Sequence, residues 1–274
     1  MSSHLRHIAV ACSIAVTIAA TTHARGSDAV EPLQAQSQAP AAAAIWIGHE
    51  AEVETHLRDA NVSHLEDIGT GVTNPQRGHL DSAQSFDSLV WKPIAPGRRA
   101  GHWESYKSEI AAYELDKLLR LQMVPPAVER QIDGEEGAAI IWLSGIKSVK
   151  QSGGKVPNGP VWSRAIRRMQ TFDDLIGNPD RNGGNILIGR PGELILIDHS
   201  RAFVESSRLP WRIERVDADL WGRIQSLTRE DLDRVLGPWM SGGAIDAVME
   251  RRARMTTDVD RLIAKNGRAR VVVD

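Results

Sequence analysis

The chain has 274 residues, of which 42% are hydrophobic and 25% are charged, and its formal net charge is -2. This is an ordinary globular composition, with enough apolar residues for one core and for a second lobe. The pI of about 6.5 reflects no basic bias, so neither nucleic acid nor an anionic membrane is expected as a partner.

The first 24 residues have the pattern of a secretory signal peptide. A polar, partly basic start precedes an apolar run from Ile8 to Ala20, and Thr22-His23-Ala24 ends in the small-x-small pattern of a cleavage site. The run is shorter than the roughly 20 residues that a spanning helix needs, so we expect no transmembrane span in the mature chain. The pattern predicts export, periplasmic or secreted, with an uncleaved surface anchor as the alternative.

Residues 25–44 are rich in Ala, Gln, Ser and Pro and lack apolar periodicity, which is typical of a disordered linker. After it, the periodicity predicts a β-rich N-lobe over residues 45–150 and an α-rich C-lobe over residues 151–274. The N-lobe elements predicted are helices over Glu50–Ala60 and Tyr106–Leu121 and strands over Leu65–Thr73, Ser88–Pro93, Ala127–Ile132 and Gly137–Leu143. The C-lobe elements predicted are strands over Ile186–Ile188 and Glu193–Ile197 and helices over Trp162–Leu175, Ala218–Ser226, Arg229–Leu236 and Ala244–Ile263.

A glycine-containing segment, Ile68-Gly69-Thr70-Gly71-Val72-Thr73, is followed closely by Arg77. Glycines allow backbone N–H groups to approach phosphates. Gly69, Gly71 and Arg77 are therefore candidate nucleotide-binding residues. The alternative is a twisted hairpin that contains two glycines for structural reasons.

Lys92 lies inside a predicted apolar strand, where an unpaired ammonium group is costly to bury. The next helix offers Glu109 and Glu114 as partners. A Lys–Glu pair between a strand and a helix orients the lysine toward ATP phosphates. The alternative is an edge-strand lysine whose stem packs on apolar neighbours while its ammonium group reaches water.

A polar loop between the helix and the hairpin of the C-lobe carries the strongest chemical pattern. Asp180 begins the segment Asp-Arg-Asn-Gly-Gly-Asn, which ends at Asn185, and Asp198 follows directly after an apolar strand. An acid followed five positions later by an amide is the spacing of kinase catalytic loops. It places Asp180 beside a substrate hydroxyl and brings Asn185 and Asp198 together as oxygen ligands for Mg²⁺ or Mn²⁺. The alternative is that these residues only form turns, which Asp and Asn favour.

These elements follow one another in the order found in protein kinases. The Asp180–Asn185 loop resembles the D-R-H-x-x-N loop of phosphatidylinositol 3- and 4-kinases. The segment Tyr106–Asp116, with Val124-Pro125-Pro126 after it, is similar to the helix of secreted Golgi casein kinases and four-jointed-type kinases, and Leu196–Ser200 resembles their metal-binding segment. The resemblance covers roughly residues 45–203. It implies a two-lobed α+β protein-kinase-like fold with a small β-rich N-lobe and a larger α-rich C-lobe.

The resemblance also implies roles for the candidate residues. Lys92 would contact the α- and β-phosphates of ATP and pair with Glu109. Asp180 would be the base or the group that orients the hydroxyl, and Asn185 and Asp198 would hold the metal. The expected function is an exported atypical kinase that transfers the γ-phosphoryl group of ATP to a hydroxyl of a protein, lipid or small molecule. A pseudokinase or nucleotide-binding module, and transfer of AMP with ATP bound in reverse, are alternatives that the sequence leaves open.

Overall fold

The computed structural model describes residues 44–69, 74–81, 86–190 and 193–274. The predicted signal peptide, all of the predicted linker except residue 44, and Gly71 lie outside the described residues. Twelve strands and seven helices are described. The strands are β1 (Val62–Asp67), β2 (Gln76–Leu80), β3 (Ser88–Lys92), β4 (Gly97–Arg99), β5 (His102–Glu104), β6 (Ala127–Ile132), β7 (Glu135–Ile141), β8 (Lys147–Ser148), β9 (Ile186–Ile188), β10 (Leu194–Leu196), β11 (Val216–Asp217) and β12 (Val272–Val273). The helices are α1 (Glu50–Asp59), α2 (Tyr106–Leu119), α3 (Pro160–Ile176), α4 (Ala218–Ser226), α5 (Arg229–Leu236), α6 (Gly242–Asn266) and α7 (Arg268–Val271).

A five-stranded antiparallel sheet forms the first part of the fold, in the order β1-β2-β3-β7-β6. Its two faces differ because side chains alternate along each strand. On β3, Leu89 and Trp91 are buried in a core that also contains Leu57 of α1. Val90 and Lys92 point to the opposite face, where Val90 packs against the larger core.

Helix α2 crosses from the sheet to the helical part of the molecule. Ser105 caps its first turn by accepting a hydrogen bond from the Lys107 N–H at 3.0 Å, and Arg120 ends it in the left-handed conformation, with φ 47°. The helix is buried on most sides, and its buried residues include Ala111, Ala112 and two acids, Glu109 and Asp116. One of these buried acids is Glu109, which faces β3.

The second part of the fold is mainly helical. Helices α2 to α6 share one core with the hairpin β9–β10, to which β8 adds a third strand. Asp217 caps α4, Ser241 caps α6, and Thr228 with Asp231 forms a capping box at the start of α5. The loop between α3 and β9 and the segment after β10 lie at the boundary of the sheet and the helices, since Asp198 after β10 contacts Lys92 of β3.

The predicted α+β organisation, with strands first and helices second, is found in the structure. The prediction of a strand over Leu65–Thr73 was wrong at both ends, because β1 begins at Val62 and ends at Asp67, where Gly69 turns the chain with φ 66°. Strand β2 and the short elements β4, β5, β8, β11, β12 and α7 were missed. No helix among the described residues is long and apolar enough to cross a membrane.

Candidate active site

Lys92 lies at the centre of a buried ion-pair cluster. Its Nζ donates to Glu109 Oε1 at 2.7 Å and to Asp198 Oδ1 at 2.9 Å, although these three residues come from β3, α2 and the end of the β9–β10 hairpin. Burial alone would lower the pKa of Lys92, but the negative charges of Asp198 and Glu109 outweigh burial and raise it. The lysine is therefore a fixed cation, held between two carboxylates.

Glu109 has both oxygens engaged. Oε1 accepts from Lys92, and Oε2 accepts the backbone N–H of His199 at 2.9 Å. Burial favours the neutral acid, yet the charge of Lys92 and the contacts with His199 lower the pKa of Glu109 below its ordinary value. Glu109 therefore ties the lysine strand to the segment that carries Asp198.

Asp198 has an unusual backbone conformation for a residue other than glycine, with φ 62°. Its Oδ1 accepts from Lys92 and from the Ser200 hydroxyl, the latter at 3.2 Å, and its side chain is 34% exposed. Left-handed backbone at a non-glycine residue costs energy and is concentrated at functional sites. Among the described residues both side-chain contacts go to Oδ1, which leaves Oδ2 able to bind a ligand that enters from solvent.

The loop between α3 and β9 folds around its own polar groups. The side-chain amide of Asn185 donates from Nδ2 to the Asp180 backbone oxygen at 2.8 Å, so Oδ1 is the Asn185 atom left for a metal. The backbone oxygen of Asn185 accepts from the Ile197 N–H at 3.2 Å. Because Ile197 directly precedes Asp198, this bond connects the backbones of the two predicted metal-binding segments.

Asp180 lies at the more open side of the same loop, with its side chain 38% exposed. Arg201 donates to Asp180 Oδ2 at 3.1 Å and also binds Glu104, with Nε and Nη2 at 2.9 and 2.8 Å from Oε1. One carboxylate oxygen of Asp180 is thus held in place. The other, Oδ1, is available for a hydroxyl group that enters from solvent.

Arg181 supports the loop from beneath and was not predicted as a site residue. It forms a two-pronged pair with Asp173 of α3, and its Nη1 donates to the backbone oxygens of Asn185 and Ile197 at 2.9 and 2.7 Å. Its Nη2 lies 2.9 Å from Nε2 of His199. Since arginine can only donate, this contact assigns Nε2 as the acceptor and Nδ1 as the protonated nitrogen of His199. The arginine thereby joins α3, the loop and the Asp198 segment.

Of the residues predicted to bind nucleotide, Arg77 lies on β2, whereas Gly69 lies in the loop that follows β1. Arg77 on β2 is the cross-strand neighbour of Val90, so it shares the face that carries Lys92. Its guanidinium lies over the Trp142 ring, 4.8 Å from the centroid, and donates to Ser88 at 3.0 Å. The N–H of Gly69 donates to Asp67 Oδ1 at 2.9 Å. The roles of Gly69, Gly71 and Arg77 in nucleotide binding stay predictions.

The sequence did not predict the residues that hold the candidate site residues in position. Asp173, Arg181, His199, Arg201 and Glu104 are the unpredicted members of the site. The available signal was Asp173-Asp174 near the end of an apolar helix, since a buried acid needs a partner.

Comparisons with solved structures decide the fold. A hydra Fam20 protein, solved with a sugar, matches with a TM-score of 0.64 at 18% identity over 81% of this chain and 91% of that chain. The Golgi casein kinase with Mn and ADP bound matches with a TM-score of 0.62 at 17% identity, over 82% and 78%.

The chain has a two-lobed protein-kinase-like fold. The Helicobacter pylori proinflammatory kinase CtkA is also similar, with a TM-score of 0.50 and 12% identity over 77% of this chain and 98% of that chain. No family model matches the sequence, and no curated protein sequence is significantly similar to it. The likeness to atypical kinases of the Golgi casein kinase type is therefore structural. The more specific resemblance to phosphatidylinositol 3- and 4-kinases stays a prediction, as do the lobe boundaries.

Proposed function

We propose that this protein is an atypical kinase that transfers the γ-phosphoryl group of ATP to a hydroxyl group. The observation that carries the proposal is the cluster of Lys92, Glu109 and Asp198, in which a lysine from the sheet meets acids from α2 and from the end of a hairpin at 2.7 and 2.9 Å. Phosphoryl transfer depends mainly on positioning and on stabilisation of charge. A fixed lysine beside an acid that can share a metal supplies both.

In this proposal each residue has a distinct task. Lys92 binds the α- and β-phosphates, and Glu109 keeps its ammonium group in position. Asp180 accepts or orients the proton of the acceptor hydroxyl as that oxygen bonds to the γ-phosphorus. The bond from the γ-phosphorus to the β–γ bridging oxygen breaks, and ADP leaves. Arg201 holds Asp180 in the orientation that this transfer requires.

The residues of the site fit a hard divalent cation. The carboxylate of Asp198 and the amide oxygen of Asn185 are oxygen ligands, which Mg²⁺ and Mn²⁺ prefer. Hydrogen bonding of the Asn185 Nδ2 to Asp180 turns its oxygen away from that contact, which makes the oxygen available. When bound, such a cation would neutralise the β- and γ-phosphate charges.

The solvent-facing position of Asp180 suits a hydroxyl on a protein, a lipid or a small molecule. Export is supported by the signal-peptide pattern of the first 24 residues. The mature chain would begin near Arg25 or Gly26, which mass spectrometry of the native protein would test.

The experiment compares ATP labelled at the γ-phosphate with ATP labelled at the α-phosphate, with Mg²⁺ or Mn²⁺ and a mixture of protein and small-molecule acceptors. Transfer of the γ-label supports the kinase proposal. Transfer of the α-label would instead show that the protein transfers AMP, and the kinase proposal would be wrong. Nucleotide binding with neither transfer favours a pseudokinase. Lys92→Met should abolish transfer of the γ-label. Lys155→Met, at an exposed lysine outside the cluster, should leave that transfer unchanged.

A further inference from the structure

Three side chains with metal-binding atoms meet on the outer two strands of the sheet, outside the cluster of Lys92. They are His64 and Glu66 on β1 and His79 on β2. One ligand atom from each lies within 4.8 Å of the other two. The proposed transfer reaction assigns these residues no role.

The strand register explains why the three side chains converge. His64 pairs directly with His79 across the two antiparallel strands, and Glu66 lies two positions after His64 on the same face. Directly opposed side chains on neighbouring strands have their Cβ atoms about 4.5–5.5 Å apart. The cluster is therefore fixed by backbone pairing rather than by the conformation of a loop.

The two imidazole rings are stacked, with centroids 4.1 Å apart and planes inclined by 5°. Nε2 of His79 lies 3.1 Å from Glu66 Oε1. Even so, this buried nitrogen has no hydrogen bond of acceptable geometry within the part of the chain that the structure describes. The Ser63 hydroxyl lies 3.4 Å from Nδ1 of His64, which leaves Nε2 of that ring for another partner. The nitrogen lone pairs lie in the ring planes, which are nearly parallel in this stack, so the rings must rotate before a nitrogen of each histidine can point toward one cation.

We propose that His64, Glu66 and His79 form a binding site for a borderline divalent transition metal of the Zn²⁺ class. Two imidazoles and one carboxylate are a common ligand set for such ions. In a tetrahedral site with bonds of about 2.0–2.1 Å, ligand atoms lie roughly 3.3 Å apart. Rotation of the three side chains from their present separations would bring them to that geometry. Mg²⁺, which prefers oxygen ligands, would not compete well here.

The site would fasten an edge strand. Among the strands that the structure describes, β1 pairs only with β2, and it leads into the segment that contains Gly69. A metal that bridges the two strands binds only the paired arrangement, so it stabilises the folded state by mass action. Glu66 also lies 3.6 Å from Arg77, which shares the face of the sheet that carries Lys92. A bound metal would thus coordinate Glu66, the carboxylate that otherwise forms an ion pair with Arg77.

The test titrates Zn²⁺ into the full-length protein in calorimetry, with excess Mg²⁺ present to occupy the oxygen ligands of Asn185 and Asp198. Co²⁺ is titrated in parallel and its visible absorption recorded. The variants are His64→Gln and His79→Gln. The matched control is His49→Gln, because His49 also lies beside a glutamate, Glu52 at 3.4 Å, but has no second imidazole. Circular dichroism verifies that each variant is folded.

We expect one equivalent of Zn²⁺ to bind the wild type and the His49→Gln variant alike, with an increase in the thermal midpoint. Loss of one ligand should weaken binding by roughly 10- to 100-fold or more, since even outer-shell changes have that effect. A tetrahedral Co²⁺ spectrum should appear only where both histidines are present. If the wild type binds no equivalent, or if His64→Gln binds as tightly as the wild type, the site does not exist. Because His64 is exposed, that variant decides the outcome even if His79→Gln does not fold. Neither result depends on phosphoryl transfer, so the metal site and the proposed function fail separately.

Discussion

Arg181 and Asp173 form a two-pronged ion pair in which neither side chain is exposed to solvent. Nε and Nη2 of the arginine lie 3.0 and 2.9 Å from the two carboxylate oxygens. The arginine also donates to the backbone oxygens of Asn185 and Ile197 and to the ring of His199. The pair is the point at which α3, the loop and the Asp198 segment are joined.

Replacement of Arg181 should therefore damage stability and the site together. Arg181→Met leaves Asp173 buried without its cationic partner, which typically costs about 3–5 kcal/mol of unfolding free energy. Urea unfolding of this variant and of Arg208→Met, at an exposed arginine, gives the comparison. Equal midpoints for the two variants would show that the buried pair does not hold the loop.

Gly177 ends α3 in the left-handed conformation, with φ 64°, directly against the buried guanidinium of Arg251. A Cβ at this position would lie 2.8 Å from Cζ of Arg251. Gly177→Ala should lower the unfolding free energy by more than the roughly 1–2 kcal/mol of the conformational cost alone. The matched control is Gly222→Ala, since Gly222 is exposed within α4 and open on all sides. Alanine there should be neutral or stabilising by about 1 kcal/mol, and a similar loss in both variants would contradict the account.

His56 should make stability depend on pH. Its ring is buried against Phe86, 4.7 Å between centroids, and burial lowers the pKa of His56 below its ordinary 6.5. The folded state then excludes a proton that the unfolded chain binds, so this contribution is present above pH 6.5 and is lost as the pH falls below it. Urea midpoints of the wild type and of His56→Gln, measured across this range, should converge on acidification. Parallel profiles would contradict the prediction.

Much of the fold was predictable because each element satisfies local rules. Helices α4 and α5 were predicted at their observed bounds, and in the structure Asp217 and Thr228 cap their first turns. A lysine in an apolar strand requires an acid, and the next helix offered Glu109 and Glu114 as partners of Lys92, of which the family resemblance implied Glu109. The structure brings Lys92 and Glu109 together at 2.7 Å.

The rest of the site depends on contacts between distant segments. Nothing near Arg181 in the sequence indicates that its guanidinium is buried, because its partners lie on α3 and on a strand end sixteen residues away. The contact of Lys92 with Asp198 spans 106 positions and requires the whole packing of sheet on helices. The glycine segment shows that a local pattern can also mispredict the bounds of an element. A pattern of glycines predicts flexibility of backbone geometry, but it does not fix where a strand ends.

The metal assignment predicts a separable effect of Asp198. Asp198→Ala removes one carboxylate that is one-third exposed, and Lys92 keeps its contact with Glu109, so the fold should survive. Metal-dependent binding of ATP, measured by calorimetry with Mg²⁺ or Mn²⁺, should be lost. The control is Asp260→Asn at an exposed position on α6. An unchanged Mg-ATP affinity in Asp198→Ala would show that the metal is held elsewhere.

We propose that Asp180 acts in phosphoryl transfer and not in nucleotide binding. The carboxylate is held by Arg201 at 3.1 Å and lies on the open side of the loop, where we expect the acceptor hydroxyl to bind. An interaction of this kind is stronger in the transition state than in the ground state. Its loss lowers the rate without weakening the binding of ATP.

The most direct test is the rate of γ-label transfer by Asp180→Asn at saturating ATP, set beside its ATP affinity and beside Asp260→Asn. Since Arg201 can keep one contact with the amide oxygen, the variant should fold and bind ATP as the wild type does. The rate should fall by roughly 10²- to 10⁴-fold, the range for a lost acid–base group. Full transfer activity in Asp180→Asn at saturating ATP would contradict the kinase assignment.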